Sequence, residues 1–196
     1  MPTILNLPEV PLTQPPSSLA NDVAEILISE HQIQRRVAAL GERISTDFAG
    51  DEVLFVAVLK GALLFLADLI RHVDLPLAID FMAVSSYGKG TESSGVVRIL
   101  KDLDDSIDGR HVIIVEDIVD SGRTLDYLLR MLHQRHPATL HVCTLLDKRT
   151  CREIDVPIDY AGFEVPDAFV VGYGLDFAEN YRQLPFIGVL KPEIYV

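Results

Sequence analysis

The run His111-Val-Ile-Ile-Val-Glu-Asp-Ile-Val-Asp-Ser-Gly-Arg-Thr-Leu125 changes character three times within fifteen residues. Val112 to Val115 are four consecutive aliphatics, the pattern of a strand buried on both faces. The carboxylates Glu116, Asp117 and Asp120 follow, and then Ser121, Gly122, Arg123 and Thr124. Leu125, Leu128, Leu129 and Leu132 come next at helical spacing. The run predicts a strand ending near Val115, a polar turn that begins at Glu116, and a helix N-terminus. In open α/β sheets a ligand binds beyond the carboxyl ends of the strands, where such a turn must lie.

The residue types of the turn have distinct chemical uses. Backbone N–H groups at a helix start are unpaired and carry the positive end of the helix dipole, so they attract phosphate. Ser121 and Thr124 add hydroxyl donors, and Gly122 lets the backbone approach a ligand closely. Adjacent carboxylates at Glu116 and Asp117 fit such a site if they hold ribose hydroxyls, a hydrated Mg²⁺, or both. Mg²⁺ takes one or two carboxylates and completes its shell with ligand oxygens and water. The bland alternative is a solvated strand end with Ser121 as a helix cap. Three acids and three phosphate-friendly residues within nine positions weigh against it.

Val-Glu-Asp-Ile-Val-Asp-Ser-Gly-Arg-Thr-Leu closely resembles the ribose-5-phosphate-binding signature of type I phosphoribosyltransferases. Its Glu-Asp pair and flanking residues are similar to the hypoxanthine branch of that family. The resemblance implies an α/β fold with a central, mostly parallel sheet flanked by helices, a small hood and a flexible lid loop. It runs from about residue 30 onward, with mild departures at Ser121 and Arg123, where relatives vary.

Composition agrees with an α/β domain. The chain has 196 residues, is 48% hydrophobic and carries a net charge of −12, which disfavours nucleic acid or an anionic membrane as the main partner. An acidic protein that binds a phosphorylated sugar then needs local cations or a metal. Cys143 lies in an apolar run and Cys151 in a polar loop, so neither a disulfide framework nor a metal-ligand spacing is implied. No secretory or membrane-spanning stretch is evident, and the default expectation is cytoplasmic.

Residues 1–20 hold five prolines and predict an extended arm ahead of a single domain over 21–196. Ile26 to Ile28 predict a short edge strand. Ser29 with Gln32 predicts a capping box, followed by a helix with one apolar face (Ile33, Val37, Leu40, Ile44, Phe48) ending near Gly50. His31, Arg35, Arg36 and Arg43 fall largely outside that face and read as solvated. Val53 to Leu59, Leu77 to Val84, Val96 to Leu100, His141 to Leu146 and Ile187 to Leu190 read as strands. Phe163 to Val165 and Phe169 to Gly172 read as shorter ones. Ser85 to Gly95 contains three glycines and four serines and reads either as a loose connection or as a lid.

The family resemblance assigns roles along this frame. Lys60-Gly61 matches the pyrophosphate loop, where the peptide before the lysine is commonly cis. Ser86-Tyr87 matches the lid. Lys148 matches the base-reading lysine that donates to the purine 6-oxo group, and Arg152 an arginine of the same loop. Phe169 would stack on the purine, with plain core as its alternative, and Val170 would offer backbone groups to the base edge. Asp176 would hold a second Mg²⁺ with the pyrophosphate, and Arg182 would contact that pyrophosphate. Lys60, Gly61, Glu116, Asp117, Asp120, Ser121, Gly122, Arg123, Thr124 and Arg182 thus form the expected site for 5-phospho-α-D-ribosyl 1-diphosphate (PRPP). Glu116, Asp117 and Asp176 are the expected metal ligands. Asp120 is the candidate general base for the purine N7 proton.

The implied activity is transfer of phosphoribosyl from PRPP to hypoxanthine or guanine, releasing pyrophosphate and forming IMP or GMP in a homodimer or homotetramer. Two rivals stand beside it. A regulator on the same fold would sense PRPP and act on RNA, which calls for a basic face that the net charge disfavours. A xanthine-guanine enzyme is the nearer rival, against which the Glu-Asp signature speaks.

Overall fold

The computed structural model describes residues 18–86 and 97–195. Tyr87, with the lid expected through Gly95, and residues 1–17 of the expected arm lie outside the described residues.

Six strands form the main sheet. They are β2 (Val53–Leu59), β3 (Leu77–Ser86), β4 (Val97–Lys101), β5 (His111–Val119), β6 (Thr139–Asp147) and β7 (Tyr160–Glu164). Their order is β4-β3-β2-β5-β6-β7, and only the edge pair β3–β4 is antiparallel. Helices cover both faces, which is why the central strands read as unbroken aliphatic runs. On one face Phe55, Ala57, Ile113 and Val115 pack against α1 (Glu30–Asp47) and α2 (Leu63–Leu69). On the other, Val56, Val58, Val112 and Ile114 meet α3 (Arg123–His133), which presents Leu125, Leu128, Leu129 and Leu132. The capping box forms as predicted: Gln32 N–H donates to Ser29 Oγ, and Ser29 N–H donates to Gln32 Oε1.

The chain order places β2 beside β5, with β3 continuing the sheet one way and β6 the other. That switch point opens a crevice at the carboxyl end of the sheet. A second, three-stranded antiparallel sheet lies apart from the six, in the order β1 (Val23–Ile28), β9 (Ile187–Leu190), β8 (Val170–Val171). It forms the hood. Tyr173 Oη donates to Asp68 Oδ2 at 2.6 Å, and Tyr181 Oη to Asp22 Oδ2 at 2.8 Å.

Two sequence expectations are corrected. β5 does not end at Val115 but runs on to Val119, because β6 keeps pairing it through Ile118–Leu146 and Val119–Asp147. Glu116 and Asp117 are therefore strand residues, held more rigidly than turn residues would be. Arg36 is not simply solvated: it donates to the carbonyls of Ala161 and Gly162 and ties α1 to β7. Arg43 is exposed as expected, with its guanidinium 4.8 Å from the centre of the Tyr160 ring.

Candidate functional site

Three strand ends supply the site: Leu59 of β2, Val119 of β5 and Asp147 of β6. After β5 the chain turns through Asp120, Ser121 and Gly122 into α3. Gly122 has φ 84°, a left-handed conformation, and a Cβ there would overlap the Ile154 carbonyl. Only glycine fits both conditions. Glu153 and Ile154 N–H groups both donate to the Ser121 carbonyl at 3.0 Å, and Arg123 pairs with Glu153. Glu116, Asp120, Ser121, Gly122 and Thr124 line a hollow of about 110 Å³ at the start of α3. The size of the hollow and its position at a helix start suit a phosphate.

Arg152 braces this loop. Its Nε donates to the Asp120 carbonyl at 3.0 Å, and its guanidinium pairs with the buried carboxylate of Asp147. The sequence singled out Arg152 without a role and passed over Asp147. The latter's position at the very end of an apolar strand was the available signal.

Beside that loop lies Lys148, buried to 8% exposure. Its ammonium stands 3.8 Å from Asp120 Oδ2 and 3.8 Å from Asp167 Oδ1. Both separations exceed hydrogen-bond length, so its protons remain available to a third acceptor. The sequence reading gave Asp167 no functional role, since an acid after a proline signals only a turn. Phe169 follows two residues later and is 38% exposed, so the alternative of plain core does not hold. Val170 is buried as the first residue of β8.

The pyrophosphate-loop candidate lies across the crevice. The Leu59–Lys60 peptide is cis. A Cβ on Gly61 would overlap the Asp117 carboxylate, so the loop and β5 approach as closely as glycine permits. Gly174 packs on the Gly61 carbonyl and brings in the segment 173–182. Four of the five described non-glycine residues with positive φ fall here, namely Tyr173, Ala178, Glu179 and Tyr181. Each such conformation costs on the order of 1–3 kcal/mol and is characteristic of ligand clamps. Arg182 donates to the Gly174 carbonyl at 2.7 Å and pairs with Asp176 at 2.8 Å. Arg182 Nε is the one buried side-chain nitrogen or oxygen without a hydrogen-bond partner among the described residues. Glu179, unremarked in the sequence, lies 2.9 Å from Lys60 Nζ and 3.5 Å from Arg182. A carboxylate thus bridges the two cations that the resemblance assigns to pyrophosphate.

Electrostatics around β5 favour a divalent cation. Burial pushes the Glu116 carboxyl well above its ordinary range, and neighbouring Asp117 pushes it further. Burial also raises Asp117 from its ordinary 3.8 to about 6, against the opposing bond from Ile118 N–H. Glu116 is buried and Asp117 half-buried, and Arg182, whose charge opposes the rise at Asp117, is shared with Asp176 and Glu179. No three metal-binding side chains converge among the described residues. The donor set therefore fits metal ions that draw most of their ligands from substrate and water, one beside Glu116 and Asp117 and a second beside Asp176.

This arrangement has a consequence for stability. A folded-state value of about 6 means the fold opposes the Asp117 anion. The penalty is absent below pH 3.8, grows between 3.8 and 6, and is complete above 6. Asp117→Asn removes the charge but keeps an acceptor for Ile118 N–H. In metal-free urea unfolding it should be more stable than the wild type at pH 8, by at most about 3 kcal/mol. That advantage should vanish below pH 4. An equal gain at both pH values would contradict the burial argument.

Comparison with known proteins places the fold and these residues in context. The family profile for the phosphoribosyl transferase domain matches residues 23–178. A hypoxanthine-guanine phosphoribosyltransferase from Bacillus subtilis is 53% identical over 177 residues, spanning 90% of this chain and 98% of that protein. One from Mycobacterium avium is 52% identical over 188 residues, 93% of each chain. The crystal structure of a hypoxanthine phosphoribosyltransferase from Staphylococcus aureus superposes with a TM-score of 0.90 at 46% identity, covering 93% of this chain and all of that one. The same fold together with identity of this level over nearly the whole chain shows that the chain belongs to the phosphoribosyltransferase family, in its hypoxanthine-guanine branch.

Proposed function

We propose that the chain transfers the 5-phosphoribosyl group of PRPP to hypoxanthine and guanine, forming IMP or GMP and pyrophosphate. The observation that carries this reading is Lys148, buried at the end of β6 with its ammonium unsaturated by Asp120 and Asp167. A donor-only group at that point reads an oxo acceptor on the base.

The other residues divide the work along the crevice. N–H groups of the loop 121–124 hold the 5-phosphate, and Glu116 with Asp117 faces the ribose hydroxyls. Lys60 and Arg182 bind the diphosphate after Glu179 gives way. Phe169 stacks on the purine, and Val170 supplies backbone groups to its edge. In the reaction the C1–O bond to pyrophosphate breaks as the bond from the base nitrogen to C1 forms. Positive charge develops on the ribose and negative charge on the leaving group, so the two cations stabilise the transition state more than the ground state. Asp120 accepts the ring proton that the base must lose. One Mg²⁺ held by Glu116 and Asp117 and a second held by Asp176 would neutralise charge on the diphosphate.

Assembly as a homodimer or homotetramer belongs to the same proposal. No helix among the described residues is long and apolar enough to cross a membrane.

The direct test supplies PRPP, Mg²⁺ and each purine base in turn and follows nucleotide formation. Hypoxanthine and guanine should be converted. No nucleotide from either base would refute the assignment. Exhaustive chelation should abolish turnover, because the acidic cluster would then face a polyanion unscreened. Undiminished turnover after chelation would remove the metal from Glu116, Asp117 and Asp176.

A further inference from the structure

Phe169 already has a partner. The ring of Tyr195, on the short helix α4 (Pro192–Tyr195), lies parallel to it, with centroids 4.9 Å apart and planes at 22°. Phe177 meets Phe169 edge-on, at 5.6 Å and 88°, and also touches Tyr195 at 6.4 Å. An aromatic ring has two faces, and Tyr195 covers one of them. Phe169 nevertheless stays 38% exposed, so part of its surface remains open to a ligand.

The contact is anchored at both ends. Leu190 N–H donates to the Phe169 carbonyl at 2.9 Å, and Lys191 N–H to the Asp22 carbonyl at 2.9 Å. Ile194, next to Tyr195, packs with Leu184, Leu190 and Tyr181 in the small hood core. The tyrosine therefore belongs to the hood's framework. Phe177 follows directly on Asp176, so the same three rings connect the Phe169 end of the site to the Arg182 end.

We propose that Tyr195 is a positioning residue for purine binding. Its ring fixes the plane of Phe169 from behind and leaves a single face for the base. A lone phenylalanine on a surface segment samples two χ angles, and a base must bear the cost of ordering it. A parallel ring on one side and an edge-on ring at its rim remove most of that freedom before the base arrives. The inference rests on the purine-stacking reading of Phe169.

The test is binding in the absence of turnover. Calorimetry would compare GMP with ribose 5-phosphate on the wild type, Tyr195→Ala, Tyr195→Leu and Tyr195→Phe. Both ligands use the phosphate loop, but only GMP carries a base. Tyr195→Ala and Tyr195→Leu should weaken GMP by about 3- to 10-fold, the range of one aromatic stacking contact. Ribose 5-phosphate should bind all four proteins alike, and Tyr195→Phe should match the wild type for both ligands. Leucine keeps the apolar packing on the hood, so its failure to rescue separates ring geometry from simple folding. Unchanged GMP affinity in the alanine and leucine variants would overturn the proposal. So would equal weakening of both ligands, or tighter GMP binding, which would make Tyr195 a competitor for the platform. Wild type that binds GMP yet forms no nucleotide from PRPP and a base would instead indict the activity.

Discussion

The wild type should use hypoxanthine and guanine with a kcat/KM roughly 10⁴-fold above that for adenine. Lys148 is buried to 8% exposure, and neither Asp120 nor Asp167 is close enough to saturate it. In the proposed function a 6-oxo oxygen would supply its third partner. The 6-amino group of adenine presents a donor to a donor and leaves a buried charge without its third partner, a desolvation cost with nothing to offset it. Lys148→Ala should therefore collapse the discrimination by damaging the 6-oxopurines rather than by improving adenine. PRPP binding should survive, because the proposed phosphate contacts lie at 121–124, beyond a different strand end. Lys148→Gln should narrow the gap from the other side, since an amide offers either a donor or an acceptor. Steady-state kinetics with the three bases read all of this. Comparable use of adenine by the wild type would end the base-reading role of Lys148.

Asp120→Asn should lower kcat by about 10²-fold or more while leaving the dissociation constant for PRPP near its wild-type value. The Asp120 side chain is 55% exposed into the crevice and lies 3.8 Å from Lys148 Nζ. It faces the place where a base held by Lys148 must shed its proton. Asparagine keeps the size and one oxygen but accepts no proton. The loop itself should hold, because Arg152 braces Asp120 through its main-chain carbonyl and not through its carboxylate. Asp167 remains to balance Lys148, so purine affinity should change much less than turnover. Rapid-mixing kinetics would separate the chemical step from product release. An unaltered chemical step in the asparagine variant would place the base elsewhere.

Local pattern determined a great deal of this protein. Four consecutive aliphatics from Val112 announced a doubly buried strand, and its neighbours on both sides prove to be parallel strands. Val53–Leu59 and Ile187–Leu190 were legible to the residue, because apolar runs bounded by polar turns leave little choice of register. The capping box at Ser29 fixed where α1 begins. The residues gathered at the crevice were also legible in kind, since acids, hydroxyls and glycine at a strand-to-helix junction have few other uses.

Tertiary structure decided what those residues face. β5 continues past Glu116 because β6 offers it hydrogen bonds up to Asp147, and no window confined to β5 contains that partner. Asp167 stands at Lys148 only because β7 returns parallel to β6 and delivers the segment after it to the same sheet end. Glu179 bridges Lys60 and Arg182 across 119 residues of sequence separation on the first of those contacts. Tyr195 reaches Phe169 because β8 and β9 pair antiparallel, which brings the chain back over its own hood. Periodicity within a segment reports which face is buried, whereas the identity of a long-range partner depends on the closure of the whole chain. The strands could be read from their own residues; the company kept by Lys148, Glu179 and Phe169 could not.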